Sequence, residues 1–248
     1  CCFGGLVGYT TGVVKGCTAE KGFSISIDEP TSSNYHWIGG VVGQYEGTSG
    51  SSVIVNCTNK GDVSVEYGSK AYFHTGGVVG GSPSAASCPG DYGVIEGCTN
   101  EGAVSMHYIK GGSGAYPNIG GVVGYTEGYV KGCTNKGKVT LACDHTDGDK
   151  ATWTAVRMGG VGGTVTRGAS DCHNYGTLGF TGNYIAGGTA GARSCGNIAT
   201  CCFGGVIGAA GPYVVDSSVT FEKCTNNVDI DLTVGSATER SEERRVGK

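Results

Sequence analysis

Five prolines and 15% charged residues are a small share of 248 positions, and both shortages exclude something. A collagen needs abundant proline as well as glycine at every third position, and the sequence has neither. A disordered linker is poor in apolar residues, whereas 38% of this sequence is apolar and those residues fall in regular clusters. No apolar run approaches the roughly 18 residues of a membrane-spanning helix. Helical periodicity is almost absent, so helix is not expected. There is no Cys-x-x-Cys, which speaks against a structural zinc. Nor is there an initiator Met or a signal peptide; the repeat described next is already under way at Gly4, so the N-terminus is read as truncated. The formal charge of −4 argues against nucleic acid or an anionic membrane as the main partner.

Glycine, by contrast, makes up 49 of the 248 residues, well above the usual ~7%. Much of it belongs to a repeat. Six segments read Gly-Gly-aliphatic-x-Gly: Gly4 to Gly8, Gly39 to Gly43, Gly76 to Gly80, Gly120 to Gly124, Gly159 to Gly163 and Gly204 to Gly208. Their starts lie 35, 37, 44, 39 and 45 residues apart. Each is followed by a Cys block, at Cys17, Cys57, Cys98, Cys133, Cys172 and Cys224, four of which continue Thr-Asn and one His-Asn. The distance from first Gly to Cys is 13 in three copies and 18, 22 and 20 in the others, so constant cores are separated by variable inserts. That is how a solenoid accommodates loops.

Val, Ile, Thr and Tyr dominate the segments between the glycines, as in Val63-Ser64-Val65 and Val139-Thr140-Leu141, which favours short strands. Asn-x-Gly after the Cys suits a tight corner. The expected fold is an all-β parallel β-solenoid over residues 1–233, with equivalent residues stacked ~4.8 Å apart. In Gly39-Gly40-Val41-Val42-Gly43 two neighbouring aliphatics are expected on opposite faces of one strand, with the outer one covered by the variable segment before Gly-Gly. Residues 234–248 form a tail, and Arg240–Lys248 resembles the translation of a sequencing-library adapter. Without its four basic and two acidic residues the charge becomes −6.

Gly-Gly-Leu-Val-Gly in the first copy, Gly-Gly-Val-Val-Gly in later ones, and the following Cys-Thr-Asn-x-Gly-x-Val resemble the GLUG-type repeats of large bacterial surface and secreted proteins, including adhesin-like proteins of gut Bacteroidetes. The resemblance covers residues 1 to about 233 and departs at Ala19-Glu20-Lys21-Gly22, which replaces Asn-x-Gly. It implies an extracellular or cell-surface module, non-enzymatic and structural or adhesive, whose partners are glycans, host or cell-surface proteins, or other domains of one polypeptide. It brings no cofactor and no catalytic motif.

Candidate chemistry is thin. The six repeat cysteines, Cys17, Cys57, Cys98, Cys133, Cys172 and Cys224, are read as a buried ladder of free thiols acting as small apolar groups. Cys1, Cys2, Cys88, Cys143, Cys195, Cys201 and Cys202 lie in inserts or before Gly-Gly, where a local disulfide such as Cys195 with Cys201 or Cys202 stays open. Asp144, Asp147 and Asp149 form a weak calcium candidate, without the register of an EF-hand. His36, His74, His107, His145 and His173 hold unrelated repeat positions, though His36 and His74 are potential neighbours. Aromatics in the inserts, among them Trp37, Tyr72, Phe73, Tyr116 and Trp153, are candidate ligand contacts, set against a role as cover for the outer aliphatics. Their uneven spacing to Gly-Gly favours cover. The alternative is a β-helix polysaccharide lyase or glycoside hydrolase. Such an enzyme needs paired carboxylates, and Glu46, Glu96, Glu127, Asp216 and Glu222 lie in no distinctive motif.

Overall fold

The structure, a computed structural model, describes residues 1–27, 34–47, 51–68, 71–82, 93–108, 116–143, 156–182, 201–210 and 219–234. The first repeat makes β1 (Cys2–Gly4), β2 (Val7–Thr10), β3 (Val14–Lys15), β4 (Thr18–Ala19) and β5 (Phe23–Ile27). Every later repeat supplies the same five, as in Tyr35–Gly39, Val42–Tyr45, Ser52–Val55, Thr58–Asn59 and Val63–Tyr67 of the second. Equivalent strands pair in parallel into five sheets of six strands, named here the β1 to β5 sheets. The fold is therefore an all-β parallel solenoid, and each repeat is one coil of five strands.

Register is fixed row by row. Thr58 pairs with Thr99 and Asn59 with Asn100, and Val63 pairs with Phe23 and Val104. On the outer corner the residue after the Asn position alternates in charge through the first four coils, so Lys60 bridges Glu20 at 2.9 Å and Lys136 bridges Glu101 at 3.2 Å. Such exposed pairs contribute little energy each, but a one-coil slip would set like charges together.

The corner between the third and fourth sheets uses left-handed backbone in every coil: Gly16, Asn56, Gly97, Gly132, Asp171 and Lys223 have φ between 50° and 63°. Lys is the misfit, because a Cβ in this region costs ~1–2 kcal/mol. Lys223→Gly is expected to stabilise the last coil by about 0.5–1 kcal/mol after the entropy of glycine is subtracted, read as a higher urea midpoint.

Apolar side chains gather in two clusters. One joins Ile38, Phe73, Ile119 and Met158 of the β1 sheet to Val63, Met106, Tyr108 and Leu141 of the β5 sheet. The other joins Val42, Val79 and Val123 of the β2 sheet to Ile54, Ile95 and Val130 of the β3 sheet and to the buried cysteines.

The doubled aliphatics do not face opposite sides. Val41 and Val42, Val78 and Val79, and Val122 and Val123 all lie in this second cluster, fully buried. The chain bends at Gly40–Val41, ending one strand at Gly39 and starting the next at Val42, so alternation does not carry across. The amides of Val41 and Val42 both donate to the Val78 carbonyl. No outer cover from the inserts is needed.

The bend explains the glycines. A side-chain carbon on Gly40, Gly77, Gly121, Gly160 or Gly205 would fall on the amide of Asn59, Asn100, Asn135, Asn174 or Asn226 respectively. The Asn reaches from the β4 sheet across the coil to the bend, and only glycine leaves room for it. The last Gly of each motif backs on a neighbouring β1-sheet strand: a Cβ on Gly43 would lie 2.7 Å from Phe3 N, and one on Gly163 would lie 2.7 Å from Ile119 N. Beside the bend, then, the β1 and β2 sheets touch backbone to backbone.

Candidate functional site

Away from the glycines the β1 and β2 sheets open enough to hold side chains between them. The row two residues before each Gly-Gly, namely Cys2, Trp37, His74, Asn118, Arg157 and Cys202, points into this seam. Facing it are Gln44, Tyr125 and Thr164 of the β2 sheet. Cys2 Sγ donates to Gln44 Oε1 at 2.8 Å. The Trp37 ring lies 4.3 Å from His74, and His74 lies 5.0 Å from Tyr125. Gly81 makes room for that indole, since a Cβ there would sit 2.8 Å from Trp37 Cζ3.

Hydrogen bonds run through the seam in one direction. Thr164 Oγ1 donates to Asn118 Oδ1 at 2.6 Å, and Asn118 Nδ2 donates to His74 Nδ1 at 3.1 Å. An amide nitrogen only donates, so His74 Nδ1 is the acceptor and the ring proton belongs on Nε2. Arg157 Nη1 adds a long bond of 3.4 Å to Asn118 Oδ1. Next along, Tyr125 Oη donates to Glu127 Oε1 at 2.7 Å, and Tyr45 and Thr126 share a hydroxyl–hydroxyl bond of 2.6 Å.

Burial, with the Arg157 cation and His36 behind it, lowers His74 to about 3. The unfolded chain takes up this proton near pH 6.5 and the folded chain only near 3. Between those values the unfolded state binds more protons, so stability falls as pH is lowered from 6.5 towards 3. The contribution is about 1.4 kcal/mol per pH unit, added to that of the carboxylates. His74→Gln, which keeps an acceptor for Asn118 Nδ2, is expected to remove that extra slope in urea unfolding followed from pH 7 to pH 4.

At the outer margin of the seam stands a second row, four residues before Gly-Gly. Tyr35, Tyr72 and Tyr116 stack with ring centroids 4.5 Å apart and planes within 13°. Tyr35 is exposed and the other two are half-buried. This stripe is aligned, contrary to the uneven spacing expected of the aromatics; counting Trp37 and Trp153 in one set with the tyrosines hides it. Trp37 and Phe73 are not accessible contacts. Trp37 is buried in the seam, and Phe73 is fully buried on the opposite face of the β1 sheet, 4.3 Å from Tyr67. His36 stacks on Phe73 at 4.8 Å on that same face, so His36 and His74 lie on opposite sides of one sheet. The seam margin is also where the inserts attach: segments 28–33, 69–70, 109–115, 144–155 and 183–200 lead into β1-sheet strands, and 48–50, 83–92 and 211–218 leave β2-sheet strands.

The repeat cysteines stack in one row. Cys57 Sγ donates to Val55 O at 3.4 Å and to Val14 O in the coil before it, at 3.6 Å. The pattern recurs at Cys98, Cys133, Cys172 and Cys224. Cys17 Sγ donates to Lys15 O at 3.5 Å. Cys57, Cys98, Cys133 and Cys172 are buried and free, Cys17, Cys224 and Cys2 are free and half-buried, and Cys202 is half-buried. Burial pushes the Cys133 thiol well above the ordinary range, which keeps it a donor. Cys1 is free and exposed, and Cys143 and Cys201 are strand residues. Cys88, Cys195, Trp153, His145, Asp216, the acidic trio Asp144, Asp147 and Asp149, and the tail beyond Val234 lie outside the described residues.

Among the described residues, no three His, Cys, Asp or Glu side chains gather as a metal site requires. The remaining carboxylates weighed for catalysis come from four different coils: Glu46 is half-buried, Glu96 bridges Lys131 at 3.4 Å, Glu127 is buried under Tyr125, and Glu222 is exposed. No helix among the described residues is long and apolar enough to cross a membrane.

Residues 115–140 match the GLUG motif. The matched span runs from the β1-sheet strand Tyr116–Gly120 to the start of Val139–Cys143, so one GLUG motif corresponds to one coil. The other five coils share its strands and its row of glycines, which is consistent with a GLUG-type repeat region. No match was found among curated proteins or among solved structures.

Proposed function

We propose that this GLUG solenoid is a non-enzymatic structural or adhesive module of a secreted or cell-surface bacterial protein. Its seam margin meets a glycan or a host or cell-surface protein. The observation that carries the reading is the coincidence of three features on one edge: the Tyr35–Tyr72–Tyr116 stripe, the entry of one insert set and the exit of the other. The rest of each coil is spent on buried ladders that stiffen the rod. Because the rings stack on one another, their faces are largely used, and a partner meets a row of ring edges and hydroxyls. That favours hydrogen bonding to sugar hydroxyls or peptide groups over ring stacking. The extracellular placement rests on the repeat type.

The test is a glycan and extracellular-protein array probed with the chain, beside turnover assays on host and dietary polysaccharides. Binding lowered at least tenfold by Tyr72→Ala with Tyr116→Ala, without product release, is the expected result. Release of reducing ends or unsaturated sugars would overturn the non-enzymatic reading.

A further inference from the structure

Arg157 is the one permanent cation in the seam row, and the described protein does little to partner it. Its Nε is buried without a hydrogen-bond partner. Its Nη1 makes only the 3.4 Å bond to Asn118 Oδ1, an oxygen that already accepts from Thr164 at 2.6 Å. A guanidinium is rich in N–H donors, and most of these find no acceptor among the described residues, although the side chain is half-buried. No described carboxylate forms an ion pair with it. The carboxylate of the seam, Glu127, is engaged by Tyr125, and the neighbours of Arg157 in its row are Asn118 and Cys202. Burial and then this cation lower His74, and at Cys202 the cation works against the burial that raises the thiol. A charge withdrawn from water ordinarily has a counter-charge; among the described residues this one has none.

Arg157 also stands beside the tyrosine stripe. Asn118, which pairs with it in the fourth coil, is two residues along the strand from Tyr116, and Tyr116 pairs with Tyr72. Arg157 and Tyr116 therefore share one face of the β1 sheet, with Cα atoms about 8 Å apart, close enough for a guanidinium and a phenol to meet one ligand. We infer that Arg157 is the anion contact of the seam margin and that, on the glycan reading of that margin, the ligand is an acidic glycan, with one carboxylate on the guanidinium and neighbouring hydroxyls on Tyr116 and Tyr72. The planar fork of an Arg matches the two oxygens of a carboxylate. The seam row provides one permanent positive charge beside three phenols, and the formal charge of −4 disfavours a dense polyanion or a strongly acidic peptide. A hydroxyl-rich chain with sparse carboxylates fits both.

Calorimetric titration of the full chain with glucuronate-, galacturonate- and sialate-ended oligosaccharides, each beside its methyl ester, tests this. The ester keeps the shape of the sugar and removes its charge. At least one acid form is expected to bind about tenfold or more tightly than its ester, a preference that shrinks as salt is raised. Arg157→Gln abolishes the preference, Arg157→Lys keeps part of it, and Tyr72→Ala with Tyr116→Ala weakens acid and ester alike. Circular dichroism of the variants, unchanged, separates loss of the contact from loss of the fold. Acid and ester bound equally, or a preference that survives Arg157→Gln, overturns the inference and leaves the glycan reading of the margin standing. Binding to extracellular proteins or acidic peptides but to none of these sugars overturns it and leaves the adhesive reading. No binding to any sugar or protein overturns both.

Discussion

Gly77→Ala is expected to destabilise the solenoid by at least about 3 kcal/mol, at the upper end of what overpacking costs, and more than any single surface change. The added methyl has nowhere to go. On one side is the Asn100 amide, and on the other the carbonyl oxygen of Gly121 in the following coil. A flexible side chain could rotate away, but a backbone carbonyl held in a parallel ladder cannot. The Gly77 amide itself donates to that carbonyl at 3.0 Å, so relief by sliding the coils apart would break the bond that stacks them. Removing the Asn100 side chain as well should not rescue the variant, because the Gly121 carbonyl remains. Gly179→Ala is the control: the nearest atom to its new methyl is Thr140 Cγ2 at 3.4 Å, and a change within about 0.5 kcal/mol is expected at such a site. Thermal unfolding by circular dichroism separates the two, since a near-normal midpoint for Gly77→Ala would mean the coils are not in this register.

That glycine shows where a sequence is readable and where it is not. A repeat lines up equivalent residues, so the parallel stacking, the Cys row and the Asn row all follow from spacing, whereas the spacing left one or two coils per repeat open and the five six-stranded sheets fix it at one. The reason for the second Gly does not follow from spacing, because its partner is an Asn 23 residues further on in the third coil and 14 in the fourth. The doubled valines mislead for a related reason. Alternation holds only within one strand, and the bend falls between the two residues. The seam was hidden differently: Trp37, His74, Asn118 and Arg157 are four unlike residues in one row, and a search for sameness passes over them. Counting backwards from the first Gly would have found both that row and Tyr35, Tyr72 and Tyr116. Trp153 has no place in either row by that count.

The Asn row carries the second large effect. Asn100 is fully buried; Nδ2 donates to Gly102 O at 2.7 Å and to Asn135 Oδ1 at 2.9 Å, while Oδ1 accepts from Asn59 Nδ2 at 2.8 Å. Asn100→Ala removes all three bonds and strands two acceptors inside the coil. At ~1–3 kcal/mol for each unsatisfied buried group, the expected loss is about 3–5 kcal/mol. Asn226→Ala, at the exposed end of the same row, should cost about 1 kcal/mol, because water reaches what is left. The row also has a polarity: each amide donates towards the next coil, through Asn135, Asn174 and Asn226. Its first acceptor is therefore unfilled, and Asn59 Oδ1 is buried without a partner because the first coil has Ala19 in the Asn position. Ala19→Asn places a donor there, beside Gly5, which occupies the bend position that leaves room for Asn in the other coils. A gain of about 0.5–1.5 kcal/mol in urea unfolding is expected. A loss at Ala19→Asn, or equal losses at Asn100 and Asn226, would mean that the amides do not act as one directed ladder.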